Sequence, residues 1–204
     1  MEIKLKSRNR VTRKRKPVIL IATEGKNMTE KLYFNNLNRN KNYSIVFAKG
    51  NYTDPVNMIN SLIKDLKDRE LNKKNGDIAY CVFDTDFDVH KQREILIAQK
   101  KTENLNIELI KSNPCFEVWF ILHFSNSTKQ YKSNEEVIKD LKKYIPKYKK
   151  NTDVFLYLDD KRKNAIKNAK MIEKYHVGLG RNINNIECNP SSEVYKIFDK
   201  IDKI

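Results

Sequence analysis

The chain has 204 residues, with 41 Lys and Arg against 26 Asp and Glu, for a formal net charge of +15 at pH 7. That length suits one domain with a self-sufficient core, and no apolar stretch approaches the ~18 residues of a membrane span. The charge calls for a polyanionic partner, nucleic acid first; the plainer reading is a surface solvated by lysine. The three cysteines, Cys81, Cys115 and Cys188, are odd in number and far apart. This argues against a disulfide framework or a zinc site and for a cytoplasmic protein.

Residues 1–16 carry Lys4, Lys6, Arg8, Arg10, Arg13, Lys14, Arg15 and Lys16 against a single acid, Glu2. With no apolar core behind it, this is not a secretory signal. It reads as a flexible basic arm, suited to a phosphate backbone or simply solubilising. Pro17 opens the fold. Val18 to Ala22 is an unbroken apolar run ending in Thr23-Glu24-Gly25, a buried strand closed by a turn. A helical pattern follows with Leu32, Tyr33 and Leu37, then a strand from Tyr43 to Ala48 with Ile45, Val46 and Phe47. Asp54-Pro55 caps a helix with the stripe Met58, Ile59, Leu62, Ile63, Leu66. Asn75-Gly76 breaks it before a third strand, Ile78 to Phe83. A helix over 90–101 and a strand over 106–110 complete the series.

This alternation predicts a mostly parallel four-stranded sheet flanked by helices, with ligands at the carboxyl ends of the strands. After residue 112 the chain turns α-helical and basic, so the expected units are an arm (1–16), an α/β core (17–111) and a helical part packed on it (112–204). The later helices are expected from Asn113-Pro114 to Phe124, from Ser133 to about Tyr144, over 160–175, and from Asn189-Pro190 onward. The pattern N-P-x-x-E occurs twice, at 113–117 and 189–193.

Three acids, Asp84, Asp86 and Asp88, follow the third strand within five residues. An EF-hand loop is excluded because Val89 stands where glycine is required and Ile95 where the bidentate glutamate belongs. Helix capping needs one Asp rather than three. Glu24, after the first strand, is expected at the same sheet edge. Two aspartates two residues apart can bind Mg²⁺ (or Mn²⁺), and Glu24 can complete the site or move a proton. Asp88 reads as a further ligand or a helix cap. Glu117 is the one charge in an apolar helix, either another active-site acid or a carboxylate held by the helix dipole or a lysine. Lys26 either touches a substrate phosphate or is solvated. His123, alone on an apolar helix, reads as structural. The lysine and tyrosine mixture at 142–150 either stacks bases and binds phosphates or is a solvated helix end. No Walker A motif is present.

The stretches ILIATEGKNMTEKLYF (19–34), CVFDTDFD (81–88), SNPCFEVWFILHF (112–124) and NPSSEVYKIF (189–198) carry a resemblance to RloB-like proteins of the AbiLii type. The order of acids is similar to the Toprim pattern, with Glu24 at its glutamate and Asp84 and Asp86 at its D-x-D; Thr23 stands where many relatives have Cys or Ser. The resemblance implies a Toprim-like core and a Mg²⁺-dependent nuclease acting in bacterial anti-phage defence by abortive infection. It also implies an ATPase partner encoded alongside. DNA and RNA, tRNA included, stay open as targets. Glu24, Asp84, Asp86 and Glu117 are the expected catalytic set; Lys26, Arg13, Lys14, Arg15 and Lys16 are the expected nucleic-acid contacts. The competing readings are a non-catalytic nucleic-acid-binding sensor or regulatory subunit of that ATPase, and a phosphatase.

Overall fold

The computed structural model describes residues 15–25, 28–39, 42–87, 89–183 and 185–203. Its centre is a sheet of Val18–Thr23 (β1), Ser44–Phe47 (β2), Ile78–Asp84 (β3), Ile107–Asn113 (β4) and Ser191–Ser192 (β5), in the order β2-β1-β3-β4-β5. The first four are parallel, as the alternating pattern predicts. The sheet has five strands rather than four, because β5 returns antiparallel along the end of β4. Two serines without apolar periodicity leave no strand signature.

The helices are Thr29–Asn36 (α1), Pro55–Asp68 (α2), Val89–Thr102 (α3), Glu117–Leu122 (α4), Asn134–Leu141 (α5), Phe155–Leu158 (α6), Arg162–Gly178 (α7) and Tyr195–Ile201 (α8). Successive strand residues point to opposite faces, and both faces are dry. Leu20, Ala22, Ala79, Cys81 and Phe83 pack with Met58, Ile59 and Leu62 of α2 and Ile95 and Ala98 of α3. Ile19, Ile21, Tyr80 and Val82 meet Tyr33 and Phe34 of α1 and a larger cluster from the C-terminal half, centred on Trp119 stacked against Phe198. The C-terminal helices thus share one core with the sheet.

The Asp54 side chain accepts from the Asn57 amide and Pro55 opens α2, as read from the sequence. The two N-P pairs do not open helices. Asn113 closes β4 and Asn189 precedes β5; both Asn-Pro bonds are cis, and α4 and α8 begin only at Glu117 and Tyr195. The two N-P-x-x-E copies meet at the sheet edge, with Asn113 opposite Ser191. Glu193 accepts from the Lys111 amide, donates its own amide to the Lys111 carbonyl, and pairs with Lys196. All three cysteines are free and buried. No helix among the described residues is long and apolar enough to cross a membrane.

At the amino edge of the sheet, buried Asp77 accepts from both terminal nitrogens of Arg15 (2.9 and 2.6 Å) and from the Val18 and Asn72 amides (2.8 and 2.9 Å). Burial would raise the Asp77 pKa, but Arg15 and the two amides outweigh it and hold the carboxyl below its usual value. Asp77→Ala strands two amides and a guanidinium, a loss expected to cost about 3 kcal/mol in urea unfolding. Arg15→Ala, at a half-exposed side chain, is expected to cost less.

Candidate active site

β1 and β3 lie side by side with Thr23 opposite Val82, so Glu24 and Asp84 emerge together at the carboxyl edge. Gly25 then reverses the chain: its φ is +59°, a left-handed value open to glycine, and its amide donates to the Tyr52 carbonyl. Glu24 is in phase with Leu20 and Ala22, facing α3. Asp84 is in phase with Tyr80 and Val82, facing α1 and α4. The acids therefore flank the edge from both faces.

On the α3 side, the Lys91 ammonium lies 2.7 Å from Glu24 and 3.1 Å from Asp86, while the Asp84 amide donates to the other Glu24 oxygen at 3.1 Å. Burial works against the Lys91 charge, but Glu24 and Asp86 hold its pKa above the usual lysine value. Glu24 is itself shifted upward, desolvation outweighing Lys91. Asp86 has φ +48°, a strained conformation for a residue with a side chain. It is held there by its amide donating to the Pro114 carbonyl and by Asn134 donating to its carboxylate.

On the other side, Glu30 of α1 and Glu117 of α4 are buried. Glu117 accepts from the Tyr148 hydroxyl at 2.8 Å. Burial, with Glu117 and Glu24 nearby, pushes the Glu30 pKa up to about 7, and its Oε2 is buried without a hydrogen-bond partner among the described residues. Burial also lifts Asp84 well above the carboxylate range, reinforced by Glu30, Glu117, Glu24 and Asp86. Lys150 stands close enough to Glu117, Asp84 and Glu30 for them to raise its pKa. Five carboxylates thus face two ammonium groups.

The structure brings together Glu24, Asp84, Asp86 and Glu117 of the expected residues. Asp88, Lys26, Arg13 and Lys14 lie outside the described residues. Arg15 and Lys16 sit at the amino edge, a strand length of ~20 Å from the acids; Arg15 is engaged by Asp77. Glu30 and Lys91 were not anticipated. Each stands on the apolar stripe of its helix, Glu30 three and four residues before Tyr33 and Phe34, and Lys91 four and seven before Ile95 and Ala98. A charge in such a position is the signal that finds them. His123 is structural: its Nδ1 meets the Trp119 carbonyl, and burial lowers its pKa to about 4, leaving the ring neutral. A cavity of about 460 Å³ lined by Ile63, Leu66, Leu71 and Ile107 lies at the amino edge, remote from the acids.

A hard divalent cation asks for oxygen donors and negative charge. The cluster fits on both counts: all its candidate donors are carboxylates, they outnumber the ammoniums, and one buried oxygen of Glu30 is orphaned. No three Asp, Glu, His or Cys side chains among the described residues are already drawn together as a metal-holding group; Lys91 stands between Glu24 and Asp86.

A carboxyl whose folded pKa exceeds its unfolded value of 4.5 binds protons more tightly in the fold. Its penalty grows as pH rises from that value through about 7 and is complete above it. Glu30→Gln removes the penalty. In metal-free buffer the variant is expected to gain roughly 3 kcal/mol over the wild type at pH 8 and much less at pH 5, read by urea unfolding at both.

No curated protein and no solved structure matches this chain. The family model for RloB-like proteins matches residues 19–201, a span that runs from β1 into α8 and takes in all five acids together with Lys91 and Lys150: the chain belongs to the RloB-like family.

Proposed function

We propose that the protein is a Mg²⁺- or Mn²⁺-dependent nuclease with a Toprim-like core, serving as a toxic effector in bacterial anti-phage defence alongside an ATPase partner in the cytoplasm. The observation that carries this reading is the gathering of five carboxylates at the carboxyl edge of a parallel sheet, in a chain whose net charge is +15. A site built only to bind a polyanion would not concentrate negative charge. A site that cuts one with the help of a cation requires it.

Asp84 and Asp86, with Glu24, are the residues to hold the cation. When bound, the cation supplies charge stabilisation to the phosphodiester and its leaving oxygen. Glu24 is fixed by the Asp84 amide and Lys91, so its carboxylate is oriented before substrate arrives. Lys91 also presents positive charge at the edge where phosphate enters. Glu30, with a pKa near neutrality, can keep or give up a proton at Oε2. Glu117, tied to Tyr148, sets a further carboxyl group near Asp84. The lysine-rich C-terminal half attracts the nucleic acid. ATP hydrolysis, where the system needs it, is the task of the partner, since this chain has no Walker A motif.

One observation favours the second reading, a nucleic-acid-binding sensor or regulatory subunit. Lys91 already neutralises Glu24 and Asp86, so the edge is in part satisfied without a cation. Two measurements separate the readings. Labelled DNA and RNA incubated with the wild type and Mg²⁺ or Mn²⁺ are expected to be cleaved, with Asp84→Asn reducing the rate at least about a thousandfold at unchanged circular dichroism. Titration of either metal is expected to raise the thermal midpoint of the wild type but not of Asp84→Asn. Cleavage that survives in the variant would remove the nuclease assignment from this site, and the absence of any metal response would leave the sensor reading.

A further inference from the structure

The segment 142–150 (KKYIPKYKK) links α5 to α6 and joins two kinds of surface. Ile145 and Tyr148 are buried, and the Tyr148 hydroxyl donates to Glu117 within the acid cluster. Lys150 follows two residues later and feels Glu117, Asp84 and Glu30. The next residue, Asn151, is fastened to the start of α1: its amide donates to the Thr29 hydroxyl and its side-chain oxygen accepts from the Met28 amide. One end of the segment is therefore part of the site.

The other end is an aromatic platform. Tyr144 stacks on Phe124 with ring centroids 4.8 Å apart and planes only 4° from parallel. Phe124 covers one face of the tyrosine ring, yet Tyr144 remains 40% exposed. The Lys161 ammonium lies 5.8 Å from the centroid of the Phe124 ring. Lys142, Lys147 and Lys149 are exposed along the same segment, and no ion pair engages them among the described residues. Lys143, by contrast, is held by Asp140 at 2.6 Å. From Tyr144 to Tyr148 the chain spans at most ~14 Å.

An open aromatic face beside unpaired lysines is what an unstacked base and its phosphates require. A duplex hides its base faces and cannot use such a platform. The geometry points to 142–150 as a binding track for a single-stranded polynucleotide: an unpaired base stacks on Tyr144, Lys142, Lys147 and Lys149 take phosphates, and the strand is led to the acids beside Tyr148. This rests on the proposed nuclease reading for what happens at the acids, but not for binding itself.

The test is fluorescence anisotropy in EDTA, with full-length protein and a labelled 12-nucleotide strand, as DNA and as RNA, against the duplex of the same length. The wild type is expected to bind single strands more tightly than duplex. Tyr144→Ala is expected to weaken single-strand binding about tenfold while leaving duplex binding unchanged, and Tyr144→Trp to retain it. The double variant Lys147→Ser, Lys149→Ser is expected to weaken binding and to flatten its salt dependence. The DNA and RNA arms identify which strand the track accepts. Single-strand affinity unchanged in Tyr144→Ala, with its thermal midpoint also unchanged, overturns the track. So does a loss of affinity in Tyr144→Ala that Tyr144→Trp shares. Because EDTA prevents cleavage, these results are independent of Asp84→Asn: that variant binding normally without cutting, or cutting normally, bears on the nuclease reading alone.

Discussion

Carboxylates brought close together in a partly dry place repel, and the rest of this edge is organised to withstand that repulsion. At an effective dielectric near 20, two like charges 4 Å apart cost about 4 kcal/mol. Lys91, itself buried, is held between Glu24 and Asp86; an amide of the β3 terminus and a tyrosine hydroxyl are spent on Glu24 and Glu117. What these do not cancel shows as raised proton affinity in Asp84 and Glu30. In such an arrangement a proton and a metal ion compete for the same excess charge.

The parallel sheet makes the gathering possible. Parallel strands end at one edge, and strand alternation sends neighbouring acids to opposite faces, so α3 supplies a counter-ion on one side while α1 and α4 supply more acids on the other. The two faces have unequal burdens. The face covered by α2 and α3 is a small core, whereas the other carries the whole C-terminal half. That half delivers Glu117 and Lys150 to the acids, so its role extends beyond covering the sheet.

Much of this was legible in the residues. Apolar runs at 18–22 and 78–83 are long enough to mark central strands, and acids placed just after them need no further information to be set at one edge. Glu30 was harder. An acid in the first turn of a helix is ordinary, and only its phase with Tyr33 and Phe34 separates it from a solvated one. Lys91 was hidden by a helix whose apolar stripe is thin. The Asn-Pro pairs misled because proline suits the first turn of a helix, whereas here it follows a strand end. β5 could not have been read at all: two serines owe their conformation to the edge of β4, a tertiary cause with no local trace. The two N-P-x-x-E copies come side by side there, but their glutamates go to different partners, Glu117 to Tyr148 and Glu193 to the Lys111 amide.

The return of β5 has a consequence for the history of each molecule. β4, which lies beside the D-x-D strand, is locked on its outer side by Glu193, whose carboxylate takes the Lys111 amide and whose own amide returns the bond. These partners are separated by most of the C-terminal half. A ribosome adding about 5–20 residues per second needs on the order of ten seconds to travel from Asp84 to Glu193. Throughout that interval the acids exist on a nascent chain whose sheet lacks its final strand. The sheet edge beside the D-x-D strand is therefore completed only after Glu193 has been added, long after the acids themselves.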